Sequence, residues 1–307
     1  MLKVVKVGTD CSGIEAPIQA LKKLKISYSH EFASEIDKYA RESINANYKP
    51  NILYEDMTKE RNLPRLDLYV CGFPCQPFST AGKMEGDKDP RGNIFIHCVN
   101  TIMQTKPSIF ILENVKGLIF INSGEYFKYI KKTLGSLKQY SVHYLLLNTK
   151  DYGIPQHRER LFIVGITRSK IVHPFKIPKK VPCKDINSYI DYSYKNKENY
   201  CETYRKVYPQ FKKGVFFTIG SLYEENNNKN KVEPRFSSTI ISSCPLWCIP
   251  LHRKATIKEC LSLQGFPKSF KQVVSDTQMR KQIGNSMSVN VLCHLLKQCF
   301  KCINYDY

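Results

Sequence analysis

The chain has 307 residues and a mass of 35.6 kDa, room for one large or two modest domains. It is 42% hydrophobic and 24% charged, which excludes wholesale disorder and fibrous classes. Lys and Arg number 47 against 27 Asp and Glu, a formal charge of +20 that suits a polyanionic partner. Coding bias is the bland explanation, since 36 of the 47 are Lys and 11 are Arg. The distribution argues against it. Residues 161–275 carry 20 basic and 8 acidic side chains, net +12 over 115 residues, while the other 192 residues carry 27 and 19, net +8. No apolar run reaches the roughly 18–20 residues of a membrane span. The start, Met1–Gly8, reads as a strand rather than a signal peptide. The 12 Cys are scattered, so free thiols in a soluble protein of a reducing compartment are expected.

In chain order, Val4–Val7 reads as a strand, Ala16–Lys25 as an amphipathic helix, Tyr28–Ala33 as a strand and Lys38–Asn47 as a helix. Leu66–Cys71 is a strand ending at a Gly-Phe-Pro turn. Phe95–Thr105 is a helix, Ile109–Glu113 a strand, Tyr126–Gln139 a helix, and Ser141–Leu147 and Leu161–Ile166 strands. This rhythm predicts an α/β fold, a doubly wound, mostly parallel sheet with helices on both faces, whose ligands bind at the carboxyl ends of strands. After about residue 170 the rhythm fails. Residues 171–235 are rich in Lys, Asn, Tyr and Pro, with an exposed loop expected at Glu224–Lys231. Residues 236–275 hold short β-like runs and one helix, Ile257–Gln264, and residues 289–302 read as helix.

The strongest local signal is Gly72-Phe73-Pro74-Cys75-Gln76-Pro77-Phe78-Ser79, just after a strand. A cysteine between two prolines there is rigid and faces a ligand crevice, which suits a nucleophile better than burial as a small hydrophobe. Glu113-Asn114-Val115 ends another strand, so its carboxylate can meet that loop; a Glu at a strand end is by itself a weak signal. In Gln156-His157-Arg158-Glu159-Arg160, an extended backbone would put Gln156, Arg158 and Arg160 on one side, two cations able to orient a carboxylate or a polar substrate. A solvated charged face is the alternative for that segment alone. Cys244, Cys248 and His252 have a spacing that zinc could use, but Pro245 and Pro250 prevent a regular helix and no fourth ligand is evident, so no metal is expected.

Taken together, these segments resemble the DNA (cytosine-5) methyltransferase family, in its usual block order and over nearly the whole chain. The Cys loop is followed by Ser79–Gly86 and Asp89–Phe95, which look like the family's mobile catalytic loop. Glu113–Val115 and Gln156–Arg160 match its two other catalytic blocks. Leu263-Gln264-Gly265-Phe266-Pro267 resembles the block that organises target recognition, and Lys281–Ser286 the late cofactor block. The resemblance implies a Rossmann-like catalytic and cofactor-binding domain, residues 1–170 plus 276–307, with S-adenosyl-L-methionine as cofactor. A smaller, mainly β and irregular target-recognition domain would span 171–275. Glu35 falls where the family's acid holds the ribose, with Ile36 beside the adenine, and Asp56 and Met57 where the adenine edge is read. Cys11, Ser12, Gly13, Ile14, Gly72, Pro74, Asn285 and Ser286 complete the implied cofactor set. The first block departs from the family. Aligned on Gly13, the acid falls one place late, Cys11 replaces the aromatic and Glu15 a glycine, a version similar to methyltransferases of phages and other viruses.

What the resemblance implies for chemistry is specific. Cys75 is the nucleophile on carbon 6 of a flipped-out cytosine, Glu113 binds the ring nitrogen and amine, Arg160 orients Glu113, and Arg158 helps fix the loop. Gln76, Ser79, Gly82, Arg91 and Thr239 are the implied DNA contacts. The partner is double-stranded DNA, with no membrane and no metal, and the protein acts as a monomer in the cytoplasm of a bacterium or, for a viral source, inside the host cell. Two rivals have discriminating features. A tRNA-modifying relative typically carries a Pro-Pro-Cys entrance and Cys-Phe-Thr, where this chain has Phe73-Pro74-Cys75 and Phe216-Phe217-Thr218. A catalytically inactive DNA-binding homologue would lack the nucleophile or the glutamate, and both are present.

Overall fold

The computed structural model describes residues 4–74, 94–194, 214–218 and 235–305. The chain divides into two compact units. The first comprises Met1–Leu147, Glu159–Pro178 and Leu292–Tyr307; the second comprises Asn148–Arg158 and Lys179–Val291.

The first unit holds a seven-stranded sheet: β1 (Val5–Asp10), β2 (Tyr28–Ser34), β3 (Ile52–Tyr54), β4 (Leu68–Cys71), β5 (Ile109–Val115), β6 (Tyr140–Asn148) and β7 (Glu159–Thr167), in the order β3-β2-β1-β4-β5-β7-β6. The central strands are unbroken apolar runs because both faces are covered; all four residues of β4 and the first six of β5 are buried. β1 pairs in parallel with β2 and β4, β4 with β5, and β2 with β3. Helices α1 (Ala16–Lys23), α2 (Lys38–Asn47), α3 (Ile94–Thr105) and α4 (Glu125–Gly135) supply the crossovers. One strand runs the other way: β5 and β7 are antiparallel, with Glu113 opposite Phe162 and Val115 opposite Arg160. The reason is covalent. A parallel return needs a crossover of a dozen or more residues, commonly a helix, and only Thr149–Arg158 separates β6 from β7. Phe32, Tyr69, Phe95, Phe110, Ile130 and Ile163 lie in the core between the sheet and its helices, and Phe110 meets Tyr140 edge-on at 5.1 Å. Each such side chain contributes about 1.5–3 kcal/mol by leaving water.

The second unit contains a three-stranded sheet, β10-β9-β8, of Phe216–Thr218 (β8), Leu246–Cys248 (β9) and Arg253–Lys254 (β10). Helix α5 spans Ile257–Gln264, the range expected from sequence. Thr256 and Glu259 form a reciprocal capping box at its start, and Gly265 ends it with φ 89°. Helix α6 (Asp276–Asn285), capped by Ser275, was not expected, because its sequence shows little apolar periodicity. Helix α7 (Val289–Cys302) belongs from Leu292 onward to the first unit. Gly284 is obligatory: a Cβ there would stand 2.4 Å from the Ser242 nitrogen and 2.5 Å from the Ile241 carbonyl carbon. Among the described residues no helix is long and apolar enough to cross a membrane, and no group of His, Cys, Asp or Glu is arranged to hold a metal ion.

Candidate active site

The candidate crevice lies at the carboxyl ends of β1, β2, β4 and β5, where a doubly wound sheet binds its ligands. After β1 the chain turns through Cys11 (φ 47°), Gly13 (φ 56°) and Glu15 (φ 59°), three left-handed residues before α1. Ser12 locks this turn to the end of β2. Its N–H and hydroxyl both donate to the Ser34 carbonyl at 3.1 Å. Gly13 donates its N–H to Glu35 Oε2 at 2.7 Å, and Asp37 donates to Glu35 Oε1 at 2.9 Å. Burial raises the Glu35 carboxyl above the usual glutamate range, and the two N–H bonds only partly offset it. Space beside Gly13 is open, since a Cβ there would meet nothing within 4 Å. Ile36 is 78% exposed beside Glu35, while Ile14 is buried.

On the other wall, Met57 is buried and its Sδ accepts from Cys11 Sγ at 3.6 Å. Asp56 Oδ1 accepts from the Thr58 N–H and hydroxyl at 2.8 and 2.7 Å. Slight burial raises that carboxyl, but the two bonds and nearby Lys59 outweigh it, and its pKa is lowered. These residues fit S-adenosylmethionine by their donor set. A carboxylate with remaining lone pairs faces an open glycine turn, and an exposed apolar side chain stands beside it. Gly72 and Pro74 follow β4, half-buried and exposed respectively. Cys75, Gln76, Ser79, Gly82 and Arg91 lie outside the described residues.

Two thiols lie at these strand ends, Cys11 just after β1 and Cys71 at the end of β4. The Cys71 hydrogen bond favours the Cys11 thiolate, but burial and the surrounding Cys98, Asp10 and Glu35 prevail and raise its pKa. Burial pushes Cys71 well up, and Cys98 donates to it at 3.4 Å. Both shifts disfavour the thiolate, the nucleophilic form.

Glu113 is 8% exposed at the end of β5. Arg160, on β7, sits diagonally across the antiparallel ladder, and its Nε approaches Glu113 Oε1 at 3.5 Å. Arg160 Nη1 also donates to the Glu159 carbonyl at 2.8 Å, and Glu159 pairs with Lys116 at 2.7 Å. Asn114 is a contributor that sequence reasoning missed. Its Nδ2 donates to the Phe73 carbonyl at 2.8 Å, anchoring the segment that leads into Cys75, and Phe73 rests against Phe95 at 5.8 Å. The only sequence signal for it was adjacency to Glu113.

In the second unit, Gln156 and Arg158 are buried anchors. Gln156 Nε2 donates to the Leu263 carbonyl at 2.8 Å. Arg158 lies just before β7, which starts at Glu159. Its Nη1 donates to the Ile240 carbonyl at 2.8 Å and its Nη2 to the Gly284 and Ser286 carbonyls at 3.0 and 2.8 Å. Arg158 thereby holds the backbone on both sides of Asn285, which is exposed, whereas Ser286 is buried. The Thr239 hydroxyl donates to the His157 carbonyl at 2.5 Å.

The family model for C-5 cytosine-specific DNA methylases matches residues 9–301. The chain is 36% identical over 279 residues to the Type II methyltransferase M.SsoII of Shigella sonnei, covering 85% of this chain and 71% of that one. It is 32% identical to M.NgoBI of Neisseria gonorrhoeae, over 97% of this chain and 93% of the relative. Its fold is similar to the crystal structure of the S. pombe Dnmt2 methyltransferase, with a TM-score of 0.67 at 18% identity over 98% and 100% of the two chains. A Rossmann-like sheet and a match along almost the whole sequence make this chain a member of the C-5 cytosine-specific DNA methylase family, a DNA (cytosine-5) methyltransferase that uses S-adenosylmethionine.

Proposed function

We propose that the protein methylates carbon 5 of a cytosine flipped out of duplex DNA through a covalent adduct of Cys75 at carbon 6. Cytosine carbon 5 is a poor nucleophile until a thiolate adds at carbon 6 and makes the ring an enamine. The cofactor supplies an electrophilic sulfonium methyl group. Glu113 holds the ring nitrogen and exocyclic amine and supports protonation as charge develops, and Arg160 orients Glu113 and the carbonyl oxygen. Loss of the carbon 5 proton and β-elimination then release the thiol. The target carbon is out of reach inside a duplex, so flipping is required, at a cost of a few kcal/mol.

Glu113 held by Arg160 beside the Asn114-anchored entrance to the Cys75 loop carries this reading. Glu35 and the Cys11–Ile14 turn bind the cofactor with Ile36, Asp56, Met57, Gly72, Pro74, Asn285 and Ser286. Gln76, Ser79, Gly82, Arg91 and Thr239 contact DNA, together with Lys and Arg of residues 171–275. Cys75→Ser should abolish methyl transfer while leaving DNA binding nearly intact. Duplex carrying 5-fluorocytosine should trap the wild type, because no proton can leave carbon 5. An adduct mapped to another cysteine would overturn the assignment, and equal methylation of tRNA would shift the substrate to RNA.

A further inference from the structure

Nothing in the sequence marks Arg61, which lies in the irregular stretch between β3 and β4. In the fold its guanidinium joins the ends of several elements. Nη1 donates to Asp10 Oδ1 and, at 2.6 Å, to Ser34 Oγ. Nη2 donates to Asp10 Oδ2 at 3.2 Å and to Thr101 Oγ1 at 3.1 Å. Asp10 Oδ2 also accepts from the Tyr69 hydroxyl at 2.8 Å. The guanidinium carbon lies 5.6 Å from the Phe32 ring centre and 5.5 Å from that of Tyr54. The Arg61 and Asp10 side chains are 5% and 0% exposed.

The positions of the two partners matter. Asp10 is the last residue of β1 and Ser34 the last of β2, so the Cys11–Ile14 turn and Glu35 begin one residue beyond the atoms Arg61 holds. The Gly13–Glu35 bond of 2.7 Å closes that bracket from the other side. A buried ion pair is weak support for stability, since apolar residues of similar volume often serve as well. A planar fork with five fixed donors does something that apolar packing does not: it sets the spacing of two strand ends.

We infer that Arg61 is a positioning residue for the cofactor, holding the ends of β1 and β2 at the separation that presents the Glu35 carboxylate to the ribose. The inference rests on Glu35 as the ribose acceptor. Its test is titration of S-adenosylhomocysteine by calorimetry, alongside methyl-transfer kinetics. Arg61→Met should weaken that binding roughly 10-fold or more, the scale on which lost outer partners weaken a bound group. KM for the cofactor should rise with kcat at saturation unchanged. Ser34→Ala, which leaves the ion pair in place, should weaken binding less. Arg61→Lys should recover thermal stability more fully than affinity, because an ammonium cannot form the fork. The double variant Asp10→Asn/Arg61→Met removes the lone buried charge and should likewise regain stability without affinity. Wild-type affinity in Ser34→Ala and in the double variant would reduce Arg61 to a structural role. Wild-type affinity in Glu35→Ala would overturn the cofactor assignment beneath it, whereas a loss confined to Glu35→Ala would overturn only the role of Arg61.

Discussion

Arg158 and Arg160 are two residues apart and should fail in different ways when replaced by methionine. Arg158→Met removes three charge-assisted bonds of 2.8–3.0 Å to the carbonyls of Ile240, Gly284 and Ser286. Bonds to a charged group contribute about 1.5–3 kcal/mol each. The losses do not add fully, because the Ser286 carbonyl also accepts from Gln264 Nε2 at 3.3 Å and methionine refills much of the volume. The expected cost is about 3–5 kcal/mol, in line with breaking other buried charged networks. At about 2–4 °C per kcal/mol for a chain of 150–250 residues, Tm should fall by roughly 6–20 °C, with the larger size here favouring the low end. Arg160→Met meets a different environment. Its contact to Glu113 is 3.5 Å long and both side chains retain some exposure, 16% and 10%. The stability loss should stay within about 1 kcal/mol. Its kcat should instead fall about 10²–10³-fold, the effect of removing one preorganised donor. Thermal unfolding and labelled methyl transfer on the same preparations separate the two. Equal Tm losses, or an Arg158→Met enzyme with wild-type Tm, would refute this division of labour.

Glu113→Gln should lower turnover by roughly 10²-fold or more with little change in cofactor affinity, measured by single-turnover methylation and calorimetry. Cofactor affinity should depend on pH through Glu35. In the proposed role its ionised form would accept the ribose hydroxyls, and burial raises its pKa, so affinity should be full at higher pH. Affinity should begin to fall at a higher pH than for an ordinary glutamate, whose midpoint is about 4.3, and Glu35→Gln should flatten the profile. Gly284→Ala should cost about 1–3 kcal/mol in thermal unfolding, because the atoms its Cβ would strike belong to the backbone of Ile241 and Ser242. Lys→Ala changes in residues 171–275 that touch phosphate should each lower the salt slope of DNA binding by about one, without changing sequence preference.

By itself the sequence determined most of the central sheet, because its signals are local. Buried parallel strands are unbroken apolar runs, and β4 and β5 lie within or beside the ranges read from them. Helix α5 was equally legible, with Gly265 closing it. The blocks that carry the family resemblance were readable because each is short and contiguous. The direction of β7 required knowing that Thr149–Arg158 forms no crossover helix. The separate fates of Arg158 and Arg160 required their partners, the carbonyls of Ile240, Gly284 and Ser286 for one and Glu113 for the other, which lie far away in sequence. Arg61 was invisible for a deeper reason. Its partners Asp10, Ser34 and Thr101 lie 51, 27 and 40 residues away, and no periodicity or motif links them. Only closure of the sheet brings those groups within reach of one guanidinium. Burial then leaves each of them without water, which makes the hydrogen bonds among them obligatory.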